Sequence, residues 1–358
     1  MRLAIILDSL NAYGGAERLV TFFAKKYDID IYTGYVKYEN ILPEFKKYNI
    51  IQLDKENRIP LLKQYLLMKK FSNLKLSSYD FIISLGAGYS AYIAMKNFQS
   101  ILYSFGVSPL FYNSGPMDQK YLPYNKVYLR PVNKIWKNYM INKDKYLIQK
   151  KFNKIKTISK FTSKCIKNYY NRESEFIGLP VDSEKYKYKK SNGYYLTVDR
   201  LIPEKRIDLV VEAFTKMPDK KLFVEGIGPE FNKIKKIAGN SKNIFFLGRV
   251  NSNNLAKLYS ECIGLISMAY YQDWSMVMVE ALASGKPCLG PKQGAYSEII
   301  KEGITGFFVD DNIKGIINGV KRLDIDTAES MKFNCIKKAK NFDKIKFYKK
   351  WDKVFKDW

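Results

Sequence analysis

Short apolar runs alternate with amphipathic stretches along the chain, and the pattern restarts once near residue 194. Near-continuous apolar runs with helical stretches such as LLKQYLLMKKF (61–71) between them are typical of a parallel sheet covered on both faces. The first half is therefore predicted to be an α/β domain. Its predicted strands are RLAIIL (2–7), IDIYTG (29–34), NIIQLD (49–54), FIISLG (81–86) and IKTISKF (155–161).

The second half repeats this pattern and is predicted to be another α/β domain. Its predicted strands are YYLTVDR (194–200), KKLFVEG (220–226), NIFFLGR (243–249), GLISMAY (264–270), KPCLGP (286–291) and GFFVD (306–310). The turn at 180–182 is interpreted as the crossing point, which predicts an N-terminal domain over 1–185 and a C-terminal domain over 186–339. The tail, 340–358, is predicted to complete the first domain with an apolar stripe at helical spacing, formed by Phe342, Ile345, Tyr348, Trp351, Val354 and Trp358.

Composition excludes several classes of protein. The chain has 358 residues and is 46% apolar, which is ample for packed cores. The apolar N-terminus is interpreted as a core strand rather than a signal peptide, and no stretch approaches the length of a membrane span. The four cysteines are far apart in sequence, which favours a reducing compartment over a disulfide framework. Because histidine is absent, every mechanism that requires an imidazole is excluded.

Positive charge is the strongest feature of the composition. There are 61 Lys and Arg residues against 35 Asp and Glu, a formal net charge of +26, which attracts nucleic acid, anionic lipid or phosphorylated substrates. Lysines are concentrated in residues 133–168, where Asp144 is the only acid. This segment is either a set of solvated helix faces or a surface that docks on an anionic membrane.

Glycines and cations follow several predicted strands. The glycine turn in YGGAER (13–18) precedes a helix, whose free N–H groups favour an anion. In VDRLIPEKRID (198–208), Arg200 and Lys205 lie just past a strand end and can converge on a diphosphate. Both features also have a simpler explanation: the glycine turn can be just a tight connection, and Arg200 and Lys205 can be just two surface cations. EGIGPE (225–230) is a further glycine turn after a strand.

One carboxylate lies inside the apolar helical segment of YQDWSMVMVEALASGKPCLGPKQGAYSE (271–298). A buried carboxylate such as Glu280 is tolerated only when it is paired or hydrogen-bonded. It can accept two adjacent hydrogen bonds, which suits a vicinal diol such as a ribose, although a salt-bridged structural residue is the simpler alternative. The turn at 293–296 adds amides that can receive a phosphate.

The segments GGAER, SKFT, PVD, R-x4-K, GxGP, the Glu280 helix with ASGKP, and GITGFFV occur in this order. Together they closely resemble glycosyltransferase family 4 over nearly the whole chain, most strongly in 194–310. The resemblance implies a retaining hexosyltransferase with the GT-B fold, in which two Rossmann-like domains face each other across a cleft. It implies a nucleotide-diphosphate sugar as donor, with GDP-mannose slightly favoured over a UDP-sugar.

The resemblance also implies roles for individual residues. Arg200 and Lys205 would grip the donor diphosphate and act in catalysis, and Glu280 would bind the ribose hydroxyls. The backbone around Gly248 and Arg249 would flank the nucleobase. The remaining backbone donors to the phosphates and the sugar would be Gly14, Gly15, Gly294, Ala295 and Tyr296.

The chain departs from the family pattern at two places. A second glutamate, which contacts the transferred sugar, usually precedes the ribose one by eight residues. Here Gln272 stands there with Asp273 beside it as a possible substitute, and both are expected to act in catalysis. Gln272 can still bind a sugar hydroxyl, but it supplies no negative charge near an oxocarbenium ion. The loop GVSPLFY (106–112) has Val107 in place of a histidine. It keeps the acceptor-side residues Ser108, Pro109 and Tyr112.

Two Asp-x-Asp sequences, Asp28-Ile29-Asp30 and Asp324-Ile325-Asp326, could in principle hold a metal ion. Their positions favour surface carboxylates, so the protein is expected to use neither a metal nor any cofactor besides its donor substrate. The expected partners are a nucleotide sugar and a glycan or lipid-linked acceptor. The expected location is the cytoplasm or the inner face of a membrane.

Two alternatives stay open. The charge alone supports a GT-B protein that binds or glycosylates nucleic acid, although no nucleic-acid-binding motif is visible in the sequence. Gln272 and Val107 instead suggest a nucleotide-sugar binder with weak catalysis.

Overall fold

The computed structural model describes residues 1–11, 14–41, 43–54, 60–86, 88–96, 99–107, 130–270 and 272–358. These residues form two compact units, residues 1–178 with 350–358 and residues 179–349. Each unit contains one parallel sheet with helices between its strands, so the prediction of two α/β domains is confirmed.

The first unit is built on a parallel sheet whose strands lie in the order β3-β2-β1-β4-β5-β6-β7. The strand β1, which lies between β2 and β4, is buried from its second residue, because every side chain from Leu3 to Ile6 is apolar and can face a covered surface. The strands of this sheet are β1 (Arg2–Leu7), β2 (Asp28–Thr33), β3 (Asn49–Gln52), β4 (Phe81–Leu85), β5 (Ser100–Ser104), β6 (Lys154–Thr157) and β7 (Glu175–Phe176).

Helices connect these strands in the first unit. The longest, α3, spans Arg130–Lys150, and its residues Leu147 and Ile148 are fully buried. The other helices described before residue 178 are α1 (Gly15–Ala24), α2 (Pro60–Ser72) and α4 (Lys160–Tyr170), with short 3-10 turns at Tyr38–Asn40, Pro43–Lys47 and Tyr89–Lys96.

Two local predictions for the first unit were wrong. The strand β5 was not predicted, although all five of its residues are buried. The strand predicted over 155–161 ends at Thr157, because Ser159 caps the following helix. The Ser159 Oγ accepts the N–H of Thr162 at 2.9 Å and so turns the chain into α4.

The end of the tail, residues 350–358, packs in the first unit, whereas residues 340–349 belong to the second, and the buried positions differ from the predicted stripe. Trp351 is fully buried, with its ring centroid 5.0 Å from Phe23 and 5.2 Å from Tyr103. Ile345, which was predicted to be in the stripe, is 55% exposed, and Phe355 is buried instead. The helix turns by about 100° per residue, so a stripe drawn at strict intervals of three residues drifts off the buried face.

Asp30 is buried, contrary to the prediction of a surface carboxylate. Its oxygens accept hydrogen bonds from Arg2 at 2.7 Å, Asn49 at 2.6 Å and Tyr79 at 2.5 Å. Burial raises the pKa of Asp30, but these hydrogen bonds outweigh it and hold that pKa below its usual value. The carboxylate therefore ties together the ends of several strands.

The Lys-rich segment 133–168 is not one continuous surface. It comprises most of α3, the buried strand β6 and most of α4. Lys156 is buried and paired with Glu175, and Asp144 is buried beneath the Tyr170 hydroxyl at 2.7 Å. Exposed lysines do remain on the two helices, including Lys150 and Lys164. Within the part of the chain that the structure describes, no helix is both long enough and apolar enough to span a bilayer.

The second unit is built on a parallel sheet with the order β10-β9-β8-β11-β12-β13. Successive strands are therefore added to one side of β8 and then, from β11 onward, to the other. The strands are β8 (Tyr194–Val198), β9 (Lys221–Glu225), β10 (Ile244–Gly248), β11 (Leu265–Ile266), β12 (Cys288–Gly290) and β13 (Gly306–Phe308). The helices from residue 179 on are α5 (Ile207–Thr215), α6 (Phe231–Ala238), α7 (Ser252–Glu261), α8 (Met276–Ala283), α9 (Tyr296–Ile299), α10 (Ile313–Arg322), α11 (Ile325–Ala339) and α12 (Lys344–Lys356), and the 3-10 turns are Ser183–Lys185, Pro203–Lys205 and Lys340–Phe342.

All four cysteines are free thiols. Cys262, Cys288 and Cys335 are buried in the second unit, whereas Cys165 on α4 is half-buried. Burial raises the pKa of Cys262 and Cys335 to about 12 and also raises that of Cys288 well above its ordinary value.

Candidate functional site

The order of strands in the second unit reverses between β8 and β11. In open parallel sheets, ligands bind outside the carboxyl ends of the strands at such a switch point. The loop after β8 carries Arg200 and Lys205, and the loop after β11 carries Gln272 and Asp273. These four residues, which were predicted to act in catalysis, therefore come from the two loops that flank the switch point.

Lys205 bridges these two loops. Its Nζ lies 2.9 Å from the Asp199 Oδ2 and donates to the Gln272 Oε1 at 3.0 Å. The backbone supports the same bridge, because the Tyr270 N–H donates to the Glu204 carbonyl at 3.0 Å. Lys205 is 14% exposed and Asp199 is 17% exposed, so this ion pair is partly shielded from water.

Gln272 also binds the loop that follows β12. Its backbone carbonyl accepts the N–H of Ala295 at 2.9 Å, and its side-chain nitrogen donates to the carbonyl of Trp274. Gln272 therefore joins the loops after β8, β11 and β12. Three of the residues predicted from the sequence, Lys205, Gln272 and Ala295, are brought together by direct hydrogen bonds.

Arg200 is exposed at the end of β8. Its backbone N–H donates to the Asp199 Oδ1 at 2.9 Å. Among the described residues, its guanidinium has no hydrogen bond, ion pair or ring contact, so it is available to an incoming anion.

The glycines of the 225–230 turn pack directly against the Arg200 loop. A Cβ on Gly226 would lie 1.9 Å from the Asp199 carbonyl oxygen. A Cβ on Gly228 would lie 2.3 Å from the Leu201 carbonyl oxygen and 2.8 Å from the Leu201 nitrogen. Contact this close needs glycine. The turn was predicted only as a glycine turn after a strand, and its role here is to hold the backbone beside Arg200.

Arg206, next to Lys205, adopts a left-handed conformation with φ +52°. Such a conformation costs a non-glycine residue on the order of 1 kcal/mol. Its guanidinium carbon lies 4.1 Å from the centroid of the Tyr270 ring, and it pairs with Asp311. These contacts stabilise the strained turn and hold the Lys205 loop against the loop that leads to Gln272.

Asp273 is half-buried beside Lys205. Loss of water raises the pKa of this carboxyl to about 7, although the charge of Lys205 opposes the rise. A carboxyl that titrates near neutral pH in a cluster of cations and polar groups is a candidate for proton transfer or charge control.

Glu280 is fully buried in α8, as the apolar pattern predicted. The hydroxyl of Tyr259 donates to its Oε2 at 3.0 Å, so the carboxylate has the hydrogen-bonded partner that burial requires. In this state, a ribose contact requires the surrounding chain to open toward Glu280. Its role as the ribose anchor stays a prediction.

Glu225, at the end of β9, was missed by the sequence analysis. It is 8% exposed, and its Oε1 accepts the N–H of Val250 at 3.1 Å. Val250 follows Gly248 and Arg249, which were predicted to flank the nucleobase, so Glu225 fixes that loop. The available signal was a carboxylate at the last position of an apolar strand, where its side chain points to a covered face.

The turn at 293–296 buries its tyrosine in the core of the second unit. Gly294 has φ +54°, and the Tyr296 side chain is buried with its hydroxyl 2.9 Å from the Ser267 Oγ. The N–H of Tyr296 donates to the Gln293 carbonyl at 3.2 Å, so a ligand would have to replace this bond to use the Tyr296 amide, and its ring belongs to the core. The Gln293 Nε2 is buried and has no partner among the described residues.

The remaining predicted residues belong to the first unit. The N–H of Gly14 donates to the Glu17 Oε2 at 3.2 Å, so the side chain of Glu17 caps the N-terminus of the helix that begins at Gly15. Val107 is buried in an apolar cluster with Leu102 and Ile148. The acceptor-side residues Ser108, Pro109 and Tyr112 lie outside the described residues.

No three His, Cys, Asp or Glu side chains in the described ranges are arranged to hold a metal ion. Asp28, Asp324 and Asp326 are exposed, and Asp324 caps α11 by accepting the N–H of Thr327 at 2.8 Å.

Part of this chain resembles known proteins in sequence. Residues 180–342 match the family described as Glycosyl transferases group 1. This match covers the switch point and all the loops around it.

Of the curated relatives, N-acetyl-alpha-D-glucosaminyl L-malate synthase from Bacillus anthracis is 28% identical over 158 residues, which is 41% of this chain and 41% of that protein. GDP-mannose-dependent alpha-mannosyltransferase from Corynebacterium glutamicum is 27% identical over 122 residues, 34% of this chain and 28% of that protein. The matched regions span less than half of either relative.

Solved structures resemble the whole chain. Anabaena Alr3699/HepE in complex with UDP and glucose has a TM-score of 0.78 at 16% identity and covers 99% of each chain. This likeness, together with the two parallel sheets, shows that the chain has a GT-B-type fold with two Rossmann-like domains.

Proposed function

We propose that the protein is a glycosyltransferase that moves a hexose from a nucleotide-diphosphate sugar to an acceptor. The observation that carries the proposal is the Lys205–Gln272 bridge across the switch point of the second unit. It lies inside the region that matches the group 1 glycosyl transferases. The guanidinium of Arg200, which no described residue pairs with, lies on the same loop.

The donor diphosphate is proposed to bind between Arg200 and Lys205. The Arg200 fork can engage two oxygens, while Lys205 supplies a point charge that is held in place before the donor arrives. Positioned cations of this kind stabilise the charge that develops on a leaving diphosphate. The backbone of Gly294, Ala295 and Tyr296 is proposed to contact the donor on the far side of Gln272. The donor would then replace the hydrogen bonds that the amides of Ala295 and Tyr296 make to the carbonyls of Gln272 and Gln293.

Transfer is proposed to proceed with retention of configuration. An oxygen of the leaving diphosphate takes the proton of the acceptor hydroxyl, and that hydroxyl oxygen forms the new bond to the anomeric carbon. The proton therefore leaves with the nucleoside diphosphate, so the protein needs no histidine base. Arg200 and Lys205 neutralise the diphosphate, which supports the expectation that no metal is required.

The acceptor is proposed to be a glycan or a lipid-linked molecule. The exposed lysines of α3 and α4 favour an anionic membrane surface as the place of reaction. Changing Lys150, Lys164 and Lys167 to glutamine is expected to weaken binding to phosphatidylglycerol vesicles. The same change at the exposed Lys216, Lys242 and Lys257 of the second unit is the matched control. Equal binding by both triple variants would remove the membrane from the proposal.

The central test is thermal stabilisation by UDP-, GDP-, ADP- and dTDP-sugars in the presence of EDTA, followed by slow hydrolysis of any donor that binds. One class of donor should raise the melting temperature in the wild type. Lys205→Met should lose this effect, whereas Lys216→Met, on an exposed helix end, should keep it. The absence of a shift with every nucleotide sugar would overturn the proposed function.

A further inference from the structure

Glu225 presents one engaged and one unengaged oxygen at the end of β9. The residue is more than nine-tenths buried, and its Oε1 accepts the N–H of Val250 at 3.1 Å. The other oxygen, Oε2, accepts no hydrogen bond from the described residues. Oε2 is not one of the fully enclosed oxygens, so it reaches solvent and can exchange water for a hydrogen-bond donor of a ligand.

The surroundings of Glu225 include charged groups from both predicted contacts of a nucleoside, Arg249 beside the base and Glu280 at the ribose. Burial raises the pKa of Glu225, the N–H of Val250 and the charge of Arg249 lower it, and the nearby Asp199 and Glu280 raise it further. Glu225 is therefore close both to the loop that holds Arg249 and to Glu280.

Space for a ligand is available beside Glu225. Gly248 is paired with Glu225 in the sheet, where the register shifts by one residue. Apart from its two chain neighbours, no atom of the described residues lies within 4 Å of the position that a Cβ on Gly248 would take. The carboxyl ends of β9 and β10 thus leave an opening next to the unengaged oxygen, at the edge of the sheet where ligands bind.

We propose that Glu225 binds the nucleobase of the donor and selects guanine, whose N1–H and N2–H groups donate hydrogen bonds to Oε2. This inference rests on the proposed function and specifies the nucleotide that the same site takes.

The chemistry of the base edges favours guanine over uracil. An ionised carboxylate only accepts hydrogen bonds. Guanine offers two adjacent donors on one edge, whereas uracil offers one N–H between two carbonyl oxygens that would repel the carboxylate. A site built to accept a particular N–H discriminates strongly against a ligand that lacks it, because the buried acceptor is then left unpaired.

The simpler role for Glu225 is to hold the Val250 loop. Glu225→Gln separates the two roles, because a glutamine oxygen can still accept the N–H of Val250 while an NH₂ group replaces Oε2. A purely structural role would leave the preference between bases unchanged. A base-reading role would reduce it, since the new NH₂ donates and faces the donors of guanine.

The experiment is calorimetric titration of the full chain with GDP, IDP, UDP and ADP at pH 8 in EDTA. The matched control is Glu212→Gln, which removes one charge from a surface pair with Lys216. The wild type and the control are expected to bind GDP roughly ten-fold or more tightly than UDP, with IDP in between because it lacks the 2-amino group. Glu225→Gln should reduce the GDP-to-UDP preference at least about five-fold.

The outcomes separate the two proposals. A wild-type preference for UDP, or a preference for GDP that Glu225→Gln leaves intact, would overturn the role of Glu225 while the donor site stands. Failure of all four diphosphates to bind would overturn the donor site together with the inference. A preference for ADP would also contradict the assignment of guanine.

Discussion

The Nζ of Lys205 donates to the side-chain oxygen of Gln272 across the two loops that flank the β8–β11 switch point. Gln272 is a neutral acceptor, so among the described residues Asp199 is the one carboxylate that pairs directly with Lys205. A second carboxylate at this position would neutralise more of the charge that a diphosphate needs. The departure from the family pattern at Gln272 thus has a physical consequence at Lys205.

Loss of the Gln272 side chain should loosen this cluster. Gln272→Ala removes the acceptor of Lys205 and the donor to Trp274, so the free energy of unfolding should fall by about 1–3 kcal/mol. Urea denaturation measures this loss, and the affinity for the donor should fall with it. Gln52→Ala, which removes a hydrogen bond from an exposed glutamine to the Asp54 carbonyl, should change stability by less than about 0.5 kcal/mol. Equal losses in the two variants would contradict the bridging role.

Removal of the charge on Asp199 should tighten donor binding. Asp199→Asn keeps an oxygen for the N–H of Arg200 but no longer competes with the diphosphate for Lys205. The affinity for a nucleotide sugar should rise roughly five-fold, the size of a typical partly exposed ion pair. Calorimetric titration measures the effect, and Asp208→Asn, which breaks a surface pair with Lys233, is the control. Weaker binding by Asp199→Asn would mean that the carboxylate positions Lys205 rather than competing for it.

Donor affinity should fall as the pH rises through about 7. The pKa of Asp273 is raised to about 7, so the carboxyl is neutral below this pH and becomes an anion near Lys205 above it. A nucleotide sugar is the suitable probe, because its diphosphate diester does not titrate between pH 6 and 8. In Asp273→Asn the affinity should be nearly constant over this range. A pH profile that is the same in the variant and the wild type would exclude Asp273 as the group responsible.

The raised pKa of Asp273 also has a consequence for stability. The folded state holds this proton up to about pH 7, while the unfolded chain releases it near the ordinary value of 3.8. Between these two values the folded state binds more protons, so its stability falls as the pH rises. Unfolding in urea at pH 5 and pH 7.5 should therefore show a smaller loss for Asp273→Asn than for the wild type.

Gly228→Ala should disturb the Arg200 loop without touching a ligand. The new methyl group would lie 2.3 Å from the Leu201 carbonyl oxygen, a backbone atom that cannot rotate away. A loss of about 1–3 kcal/mol is expected from this overlap, with weaker donor binding. Gly239→Ala tests a glycine with φ +55° and open space around it, so it reports the backbone cost alone. Intact donor binding in Gly228→Ala would show that the loop tolerates the shift.

Asp30 should make the first unit sensitive to acid. Its pKa is lowered in the folded state, so its contribution to stability is complete above the ordinary pKa near 3.8 and is lost as the pH falls through the lowered value. Asp30→Asn should destabilise the protein by about 1–3 kcal/mol at pH 7 and reduce the acid dependence. Asp28→Asn, at the exposed start of the same strand, is the control. An unchanged acid midpoint in Asp30→Asn would contradict this assignment.

Much of the architecture could be predicted from the spacing of apolar residues. A run such as RLAIIL has no polar face, which suits only a strand covered on both sides, and it forms the buried β1. The burial of Glu280 followed from the same reasoning. The strand β5 was missed because SILYS mixes polar and apolar side chains. Its serines are buried because the folded chain covers them, which the sequence pattern does not indicate.

The sequence predicted individual residues of the site but not the hydrogen bonds and ion pairs that join them. The positions of Arg200 and Lys205 follow from a strand end, whereas the pairing of Lys205 with Gln272 depends on the reversal of strand order, which the linear pattern does not contain. Asp199 and Glu225 were missed for a related reason. A single carboxylate beside a strand has no distinctive sequence pattern until its neighbours in space are known.

The burial of three of the four thiols makes the fourth, Cys165, the preferred site for a thiol-reactive label. Three are buried and hold their protons far above neutral pH, whereas Cys165 on α4 retains exposed surface. A maleimide fluorophore added to the native protein should therefore react first at Cys165. The unaltered chain would then carry one reporter on the lysine-bearing helix α4, suited to following its approach to a vesicle by changes in emission.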